Sequence, residues 1–161
     1  MTVRIRPLGR PGDLGWVVMA HGEIYAGQFG WDTSFEELVL RIVADFAGEH
    51  DAQREAAWIA EVDGRRAGCV FCVAAGERTA KLRILLVDPA FRGRGAGARL
   101  VEECLGFAAK AGYDRITLWT NDVLSSARAI YEAAGFTLDD QSPHHSFGAD
   151  LVGQNWSRDL P

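Results

Sequence analysis

The sequence predicts a single domain, residues 1–161, of the α/β (α+β) class with a mixed sheet. One predicted strand is followed by two helices, then by three strands joined by short turns, and finally by strands and helices in alternation. The 48% hydrophobic and 24% charged residues are typical of a globular chain. A length of 161 residues fits one domain of ordinary size.

The first half of the chain predicts a strand and two helices. Residues 2–6 alternate polar and apolar side chains, as a half-buried strand does. Residues 13–29 predict a helix that glycines interrupt. A capping box, Thr33-Ser34-Phe35-Glu36, predicts the start of the second helix, and an amphipathic pattern follows it.

The second half of the chain predicts most of the sheet. The dipeptide Asp63-Gly64 is a hairpin signal between the second and third strands. The predicted strands cover 56–63, 67–74, 80–87, 113–119, 136–138 and 146–156, and the predicted helices cover 95–111 and 125–134. Because Pro143 precedes them, His144 and His145 are expected in a loop.

The net charge and the cysteine positions limit which classes of partner and which kinds of site we expect. A formal net charge of −5 without a basic run argues against a nucleic-acid partner and favours a cationic substrate such as an amine. Cys69 and Cys72 are three residues apart in an apolar run, so on a strand they face opposite sides and predict buried thiols rather than a metal site. We expect no metal, no membrane partner, no secretion signal and a reducing, cytoplasmic location.

Residues 87–100 carry the strongest chemical signal. A strand ends at Val87, a glycine-rich turn follows, and an amphipathic helix begins. Glycines let backbone N–H groups approach a phosphate closely, and the positive end of the helix points to the same place. A P-loop would need Gly-Lys-Ser/Thr at the helix start, and a dinucleotide fold would place the turn after the first strand, so both are disfavoured.

Two segments resemble the GNAT N-acetyltransferase family. Arg92-x-x-Gly95-x-Gly97 is similar to the family's pyrophosphate loop, and residues 127–136, with Tyr131 and the ending Gly135-Phe136, are similar to its A-x-x-x-Y-E-x-x-G-F segment. The resemblance covers most of the chain from about residue 56. The N-terminal helices and the closing segment look closest to the GNAT domain found fused to MarR-type regulators. We expect no winged helix and no DNA-binding role in these 161 residues.

The resemblance implies a GNAT acyl-CoA N-acyltransferase fold, with a mostly antiparallel sheet, a splayed central strand pair and about four helices. It also implies acetyl-CoA as cofactor and direct transfer in a ternary complex. The implied cofactor-binding residues are Leu85, Leu86, Val87, Arg92, Gly93, Arg94, Gly95, Ala96, Gly97, Ala98, Asn121, Ala127 and Tyr131. Replacing Gly95 or Gly97 by a bulky residue should then abolish cofactor binding and leave the fold mostly intact.

Tyr131 matches the tyrosine that many members use as general acid towards the departing thiolate, and the alternative is a packed core tyrosine. Many members carry a glutamate base where this chain has Arg83. Arginine cannot act as that base, so Arg83 either binds a substrate carboxylate or forms a surface salt bridge. Strand alternation predicts Arg83 on the same face as Leu85 and Val87.

Other residues are candidates for the general base or for the pocket that binds the acceptor amine. Glu23, in the first helical region, is the leading candidate for the base, with His144 and His145 as the others. Tyr25 and Trp31 either line the acceptor pocket or belong to the core. Asn121 reaches the cofactor or substrate, or caps a turn.

The predicted function is transfer of acetyl from acetyl-CoA to a primary amine of a small molecule, amino acid or peptide. The alternative is a non-catalytic acyl-CoA-binding regulatory module, which the missing glutamate keeps open. A DNA-associated regulator is disfavoured by the acidic net charge. A homodimer is a possible assembly.

Overall fold

The computed structural model describes residues 2–161. Four helices are present: α1 Asp13–Phe29, α2 Thr33–Glu49, α3 Ala96–Lys110 and α4 Ser125–Ala133. The strands are β1 Val3–Pro7, β2 Ala56–Val62, β3 Arg65–Ala74, β4 Thr79–Val87, β5 Arg115–Asn121, β6 Thr137–Ser146 and β7 Ala149–Asp159. They form a seven-stranded sheet in the order β1-β2-β3-β4-β5-β7-β6. The mixed α+β fold predicted from the sequence is confirmed.

The sheet separates two cores. On one face, Leu100 and Val101 of α3 and Tyr131 of α4 pack on the sheet. On the other face, Val17 of α1 and Val39 of α2 do so. Cys72 belongs to the first core and Cys69 to the second, and both thiols are buried and free, as the strand alternation predicted. Each apolar helix face is therefore buried against the sheet, which stabilises the three-layer arrangement.

The central strands diverge within the sheet. Among the described strands, β4 and β5 are the single parallel neighbours, and they pair from Thr79–Arg115 to Leu82–Leu118. Beyond Leu82 no further pairing joins them, although β5 continues beside β7 as far as Asn121. The splayed central pair is thus present, and its opening begins after Leu82.

A bulge in β4 coincides with this opening. Phe71 pairs with Arg83 and Cys69 pairs with Leu86, so β4 holds one residue more than β3 between these pairs. Ile84 accommodates it with a φ of 46°, in the left-handed region that a β-branched residue rarely adopts. A bulge bends the strand and interrupts the alternation of side chains.

The bulge changes the face on which Leu85 and Val87 lie, so the prediction that Arg83 shares a face with them is wrong. Leu82 and Leu85 both belong to the core beside α3. Arg83 follows Leu82 before the bulge, faces the α1–α2 side and interacts electrostatically with Asp45 of α2. Strict alternation of side chains fails here because the bulge adds one residue to β4 between Arg83 and Leu86.

Three local predictions also need correction. The side chain of Asp32 caps α2 by accepting the N–H of Ser34, so the cap precedes the predicted capping box. The glycines of α1 do not interrupt that helix. His144 and His145 lie in β6, not in a loop. Because β6 is an exposed edge strand, it shows no apolar alternation, and an edge tolerates Pro143.

A buried ionic network holds the chain where it enters α1. Asp13 is fully buried and accepts hydrogen bonds from Arg6 at 2.8 and 2.9 Å and from Arg66 at 2.9 Å. Burial alone would raise the pKa of Asp13, but the bonds from Arg6, the Gly9 amide and Arg66 hold it well below its ordinary value. This network ties α1 to β1 and β3, which sets where the middle of α1 meets the sheet.

No helix within residues 2–161 has the length and apolar character needed to cross a membrane. The same residues contain no group of three or more His, Cys, Asp or Glu side chains placed to hold a metal ion.

Candidate active site

A groove of about 280 Å³ lies between the end of β4 and the start of α4, beyond the point where β4 and β5 separate. Five of the predicted cofactor-binding residues line it: Leu85, Leu86, Val87, Arg92 and Ala127. The remaining wall comes from the end of α1, from Val123 and Leu124 before α4, and from α4 itself, which contributes Ser125, Ser126 and Ile130. A groove along the end of a strand suits a linear chain whose amide groups hydrogen-bond to strand backbone.

The glycine-rich turn lies at one end of this groove. Gly93 and Gly95 have φ values of 80° and 78°, which favour glycine, and Gly95 forms the N-cap of α3 without a side-chain cap. The first amides of α3 therefore have no side-chain acceptor at the cap, and an anion can take that place. Together with the exposed side chain of Arg92, these features fit the pyrophosphate of acetyl-CoA.

Gly97 serves a different purpose from Gly95. A Cβ added at Gly97 would lie 2.5 Å from Cδ1 of Ile130 and 3.3 Å from Cγ2 of Val87, whereas one added at Gly95 would meet nothing within 4 Å. Gly97 allows α3 to pack closely on α4 and β4. A bulky residue there would disturb this packing, so the expectation that both glycines can be replaced with the fold mostly intact does not hold for Gly97.

A second cavity, of about 380 Å³, lies on the α1–α2 side of the opening. It is called the acceptor cavity below. Four residues line both spaces and mark where they meet: Tyr25, Leu85, Leu124 and Ala127. The polar or charged residues along its lining are His21, Tyr25, Lys81, Arg83, Thr120, Asn121 and Tyr131. Among residues 2–161, no Asp or Glu lines it.

Tyr131 lies in the acceptor cavity close to this junction. It is 4% exposed and shares the lining with Leu85 and Ala127. Burial raises the pKa of the Tyr131 phenol well above its ordinary value, and nearby Tyr25 and Cys104 raise it further. The phenol therefore stays protonated at neutral pH, as a proton donor must before the reaction.

Aromatic side chains form the outer wall of the acceptor cavity. The rings of Tyr25 and Trp31 both lie against Phe35, at centroid distances of 4.9 and 4.8 Å, and Phe147 lies 5.0 Å from Phe35. The backbone N–H of Asp32 donates to the carbonyl of Phe147 at 3.0 Å. The tip of the β6–β7 hairpin is thereby joined to the α1–α2 turn. Trp31 and Tyr25 line the cavity and also pack against neighbouring hydrophobic side chains.

Asn121 belongs to the acceptor cavity rather than to the cofactor groove. It is 2% exposed, and its Oδ1 lies 2.8 Å from Nε2 of His144. With a proton on Nε2, His144 donates to Asn121 and accepts from the hydroxyl of Ser146 at 2.9 Å. His144 thus lies behind the lining residues Asn121 and Trp119, whose ring centroid is 5.4 Å from its own, and the exposed His145 pairs with Asp150 outside the cavity.

Glu23, the leading sequence candidate for the base, does not reach either space. It is exposed and lies in the groove between α1 and α2 beside Met19 and Glu36. On the helix, His21 and Tyr25 face the cavity, and residue 23 between them faces away because neighbours two apart do not share a helix face. The structure therefore does not support Glu23 as the base.

Two ionisable lining residues, His21 and Lys81, escaped the sequence prediction. His21 precedes Tyr25 by four residues, which places both on one face of α1. Lys81 precedes Arg83 by two residues, which places both on one face of β4. Both spacings are visible in the sequence, but neither identifies a cavity until the packing of α1 and α2 on β4 is known.

His21 is held as a neutral imidazole. It is 1% exposed, and its Nδ1 lies 2.7 Å from the carbonyl of Val17, which can only accept, so Nδ1 carries the proton. Its buried Nε2 has no hydrogen-bond partner within the described residues. Burial lowers the pKa of His21 to about 4, against smaller opposing effects of the Val17 and Ile84 carbonyls.

This lowered pKa predicts an acid-sensitive contribution to stability. Its stabilising effect is complete above the ordinary pKa of 6.5 and is lost as pH falls towards the folded-state value of about 4. Between pH 7.5 and 4.5 the wild type should lose roughly 2–3 kcal/mol more than His21→Asn, which keeps a donor for Val17 but does not titrate. Urea unfolding across this range measures the difference, and parallel pH profiles would contradict it.

Comparison with known proteins points to acetyltransferases of the GNAT family. Residues 19–136 match the acetyltransferase (GNAT) family. Human N-acetylaspartate synthetase is 35% identical over 89 residues, which are 55% of this chain and 30% of the relative. Mycothiol acetyltransferase of Beutenbergia cavernae is 39% identical over 59 residues, which are 37% of this chain and 20% of the relative. The matching region is thus less than a third of either relative's length.

Solved structures match nearly the whole chain in fold. A GNAT-family acetyltransferase from Staphylococcus aureus Mu50 has a TM-score of 0.79 at 18% identity, with 99% of this chain and all of that chain covered. YncA from Salmonella typhimurium, a structure with its cofactor acetyl-CoA, has a TM-score of 0.76 at 16% identity, with 100% and 95% covered. The family match, the splayed sheet and the glycine-rich turn agree, and the chain belongs to the GNAT family of acetyltransferase enzymes.

Proposed function

We propose that this chain transfers an acetyl group from acetyl-CoA directly to a primary amine of a small molecule, an amino acid or a peptide. One observation carries the proposal: a groove for the cofactor and a cavity for an acceptor meet where β4 and β5 separate, and Tyr131 lies next to that junction. Two substrates that meet at one opening can react without a covalent enzyme intermediate, because positioning alone supplies much of the rate enhancement.

The residues of this chain would divide the work as follows. The backbone at Leu85 to Val87 borders the groove and donates hydrogen bonds to the cofactor's arm and acyl oxygen. The uncapped start of α3 and Arg92 bind the pyrophosphate. When bound, acetyl-CoA supplies an acetyl group activated as a thioester. Tyr131 holds a proton at its hydroxyl for the thiolate that departs.

No carboxylate lines the acceptor cavity within residues 2–161, so a glutamate base of the usual kind has no counterpart there. We propose that the acceptor binds as the free amine and loses its proton to solvent after attack. The half-buried cations of the cavity disfavour an ammonium ion and therefore favour this neutral form.

Arg83 supports an acceptor that carries a carboxylate as well as an amine. It lines the acceptor cavity and makes no ion pair within 4 Å among the described residues, which does not favour the salt-bridge alternative. Its planar guanidinium can bind a carboxylate through two hydrogen bonds. The name of the relative N-acetylaspartate synthetase points to the same substrate class, since aspartate carries both groups.

Arg83→Ala is expected to raise KM for a carboxylate-bearing amine by about 10- to 150-fold, since a charged hydrogen bond is worth ~1.5–3 kcal/mol. KM for the decarboxylated analogue should change little. Steady-state kinetics on the matched pair measures both values, and Arg41→Ala, on the exposed face of α2, is the control. Equal losses on the two substrates, or none on either, would contradict a carboxylate at Arg83.

A screen of amines with detection of released thiol tests the proposed function itself. We expect saturable acetyl transfer to at least one amine, with the acetylated product confirmed by mass spectrometry. Acetyl-CoA binding without transfer to any amine would instead support the non-catalytic acyl-CoA-binding module. The cytoplasmic location, the homodimer and the similarity to MarR-fused domains stay predictions from the sequence.

A further inference from the structure

Two cations share the floor of the acceptor cavity. Lys81 and Arg83 lie two residues apart on β4, both half-buried and both part of the lining. Within residues 2–161, neither makes an ion pair within 4 Å. The carboxylate that influences Arg83 is Asp45, which is exposed on α2 and does not line the cavity. The cavity therefore holds two positive groups and no negative one.

This arrangement is unfavourable without an anion. Burial lowers the pKa of Lys81, and the charge of Arg83 lowers it further. Burial also lowers the pKa of Arg83, with a small opposing effect of Asp45. Desolvated like charges are rare in a fold unless a partner compensates them. An anionic ligand that reaches both groups would remove this cost, and the gain would appear as affinity.

The order of groups along β4 gives the ligand a direction. Leu85, at the junction with the cofactor groove, marks the end where the amine must lie. Arg83 comes next along the strand, and Lys81 lies about 7 Å further at the ordinary rise of a strand. Opposite them, Leu38 and Ile42 of α2 provide an apolar surface for methylene groups. This order of contacts would match a ligand that carries an amine, a first acid, a short apolar spacer and a second acid.

We propose that the acceptor is an amine with two acidic groups, an α-amino dicarboxylic acid, whose first carboxylate binds Arg83 and whose second binds Lys81. This inference rests on the proposed acetyl transfer and adds Lys81 as the residue that selects the second acid. Lys81 suits that task because its ammonium is a single mobile charge on a flexible stem, which can follow carboxylates at different distances.

The test compares each dicarboxylic amino acid with its side-chain amide, aspartate with asparagine and glutamate with glutamine. The wild type should prefer the diacid by about 10- to 100-fold in kcat/KM. In Lys81→Gln this ratio should fall to near one, mainly through loss of activity on the diacid, and Lys81→Arg should restore part of it. Lys110→Gln, at the exposed end of α3, should keep the wild-type ratio.

The outcomes separate this inference from the proposed function. Acetylation of amides as fast as diacids by the wild type would overturn the second anion site while leaving acetyl transfer established. An equal loss on both substrates in Lys81→Gln would likewise overturn it. Failure to acetylate any amine, despite binding of acetyl-CoA, would overturn both proposals.

Discussion

Tyr131→Phe is expected to lower turnover by about 100- to 10,000-fold, the usual range for loss of a general acid. The substitution removes one hydroxyl from a buried ring that also packs against Phe136 at a centroid distance of 5.8 Å. Because the ring remains, the fold and the affinity for acetyl-CoA should barely change. Single-turnover kinetics, under conditions where chemistry limits the rate, measures the effect.

Tyr113→Phe is the matched control. Tyr113 is also a buried tyrosine, but its hydroxyl donates to the carbonyl of Arg54 at 2.8 Å, and it lines neither cavity. Its loss should affect stability more than turnover. Turnover of Tyr131→Phe within about twofold of the wild type would remove Tyr131 from the mechanism.

Gly95→Val is expected to abolish the thermal stabilisation by acetyl-CoA. In the wild type, ligand at about 100 times its Kd should stabilise the fold by about 2.7 kcal/mol. Gly95 adopts a left-handed conformation at the uncapped start of α3, so a branched side chain strains the turn and occupies the approach to the helix amides. Melting temperatures with and without acetyl-CoA measure the effect.

Gly112→Val controls for backbone strain. Gly112 has a φ of 93°, follows the C-terminal end of α3, and has open space where a Cβ would lie, as Gly95 does. Both variants should lose similar stability without ligand, but Gly112→Val should keep its shift with acetyl-CoA. A retained shift in both variants would show that the glycine-rich turn does not bind the cofactor.

Local patterns predicted the elements that carry the cofactor groove. The turn before α3 and the apolar face of that helix depend on neighbouring residues, so the sequence of residues 92–110 suffices to predict them. The bulge at Ile84 had no such signal, because an isoleucine does not indicate a left-handed conformation. The bulge is defined by the pairing of β4 with β3, and it reverses the face on which Leu85 lies relative to Arg83.

The acceptor cavity was predicted less completely for the same reason. The structure places the predicted residues Tyr25, Trp31 and Arg83 in its lining, and their role towards an acceptor stays a prediction. Lys81 and His21 become lining residues only because α1 and α2 pack across β4. Glu23 shows the converse error, since a polar residue in the right helix lies on the wrong face. Element identity follows from local sequence, whereas the composition of a cavity depends on long-range contacts.

A crystal structure of the chain with bound CoA would show where the cofactor lies relative to the glycine-rich turn and Tyr131. We expect the pyrophosphate at the start of α3, the pantetheine arm in the groove beyond the Leu82–Leu118 pair, and the thiol within hydrogen-bonding reach of the Tyr131 hydroxyl. CoA bound outside this opening, or a thiol directed away from Tyr131, would contradict it.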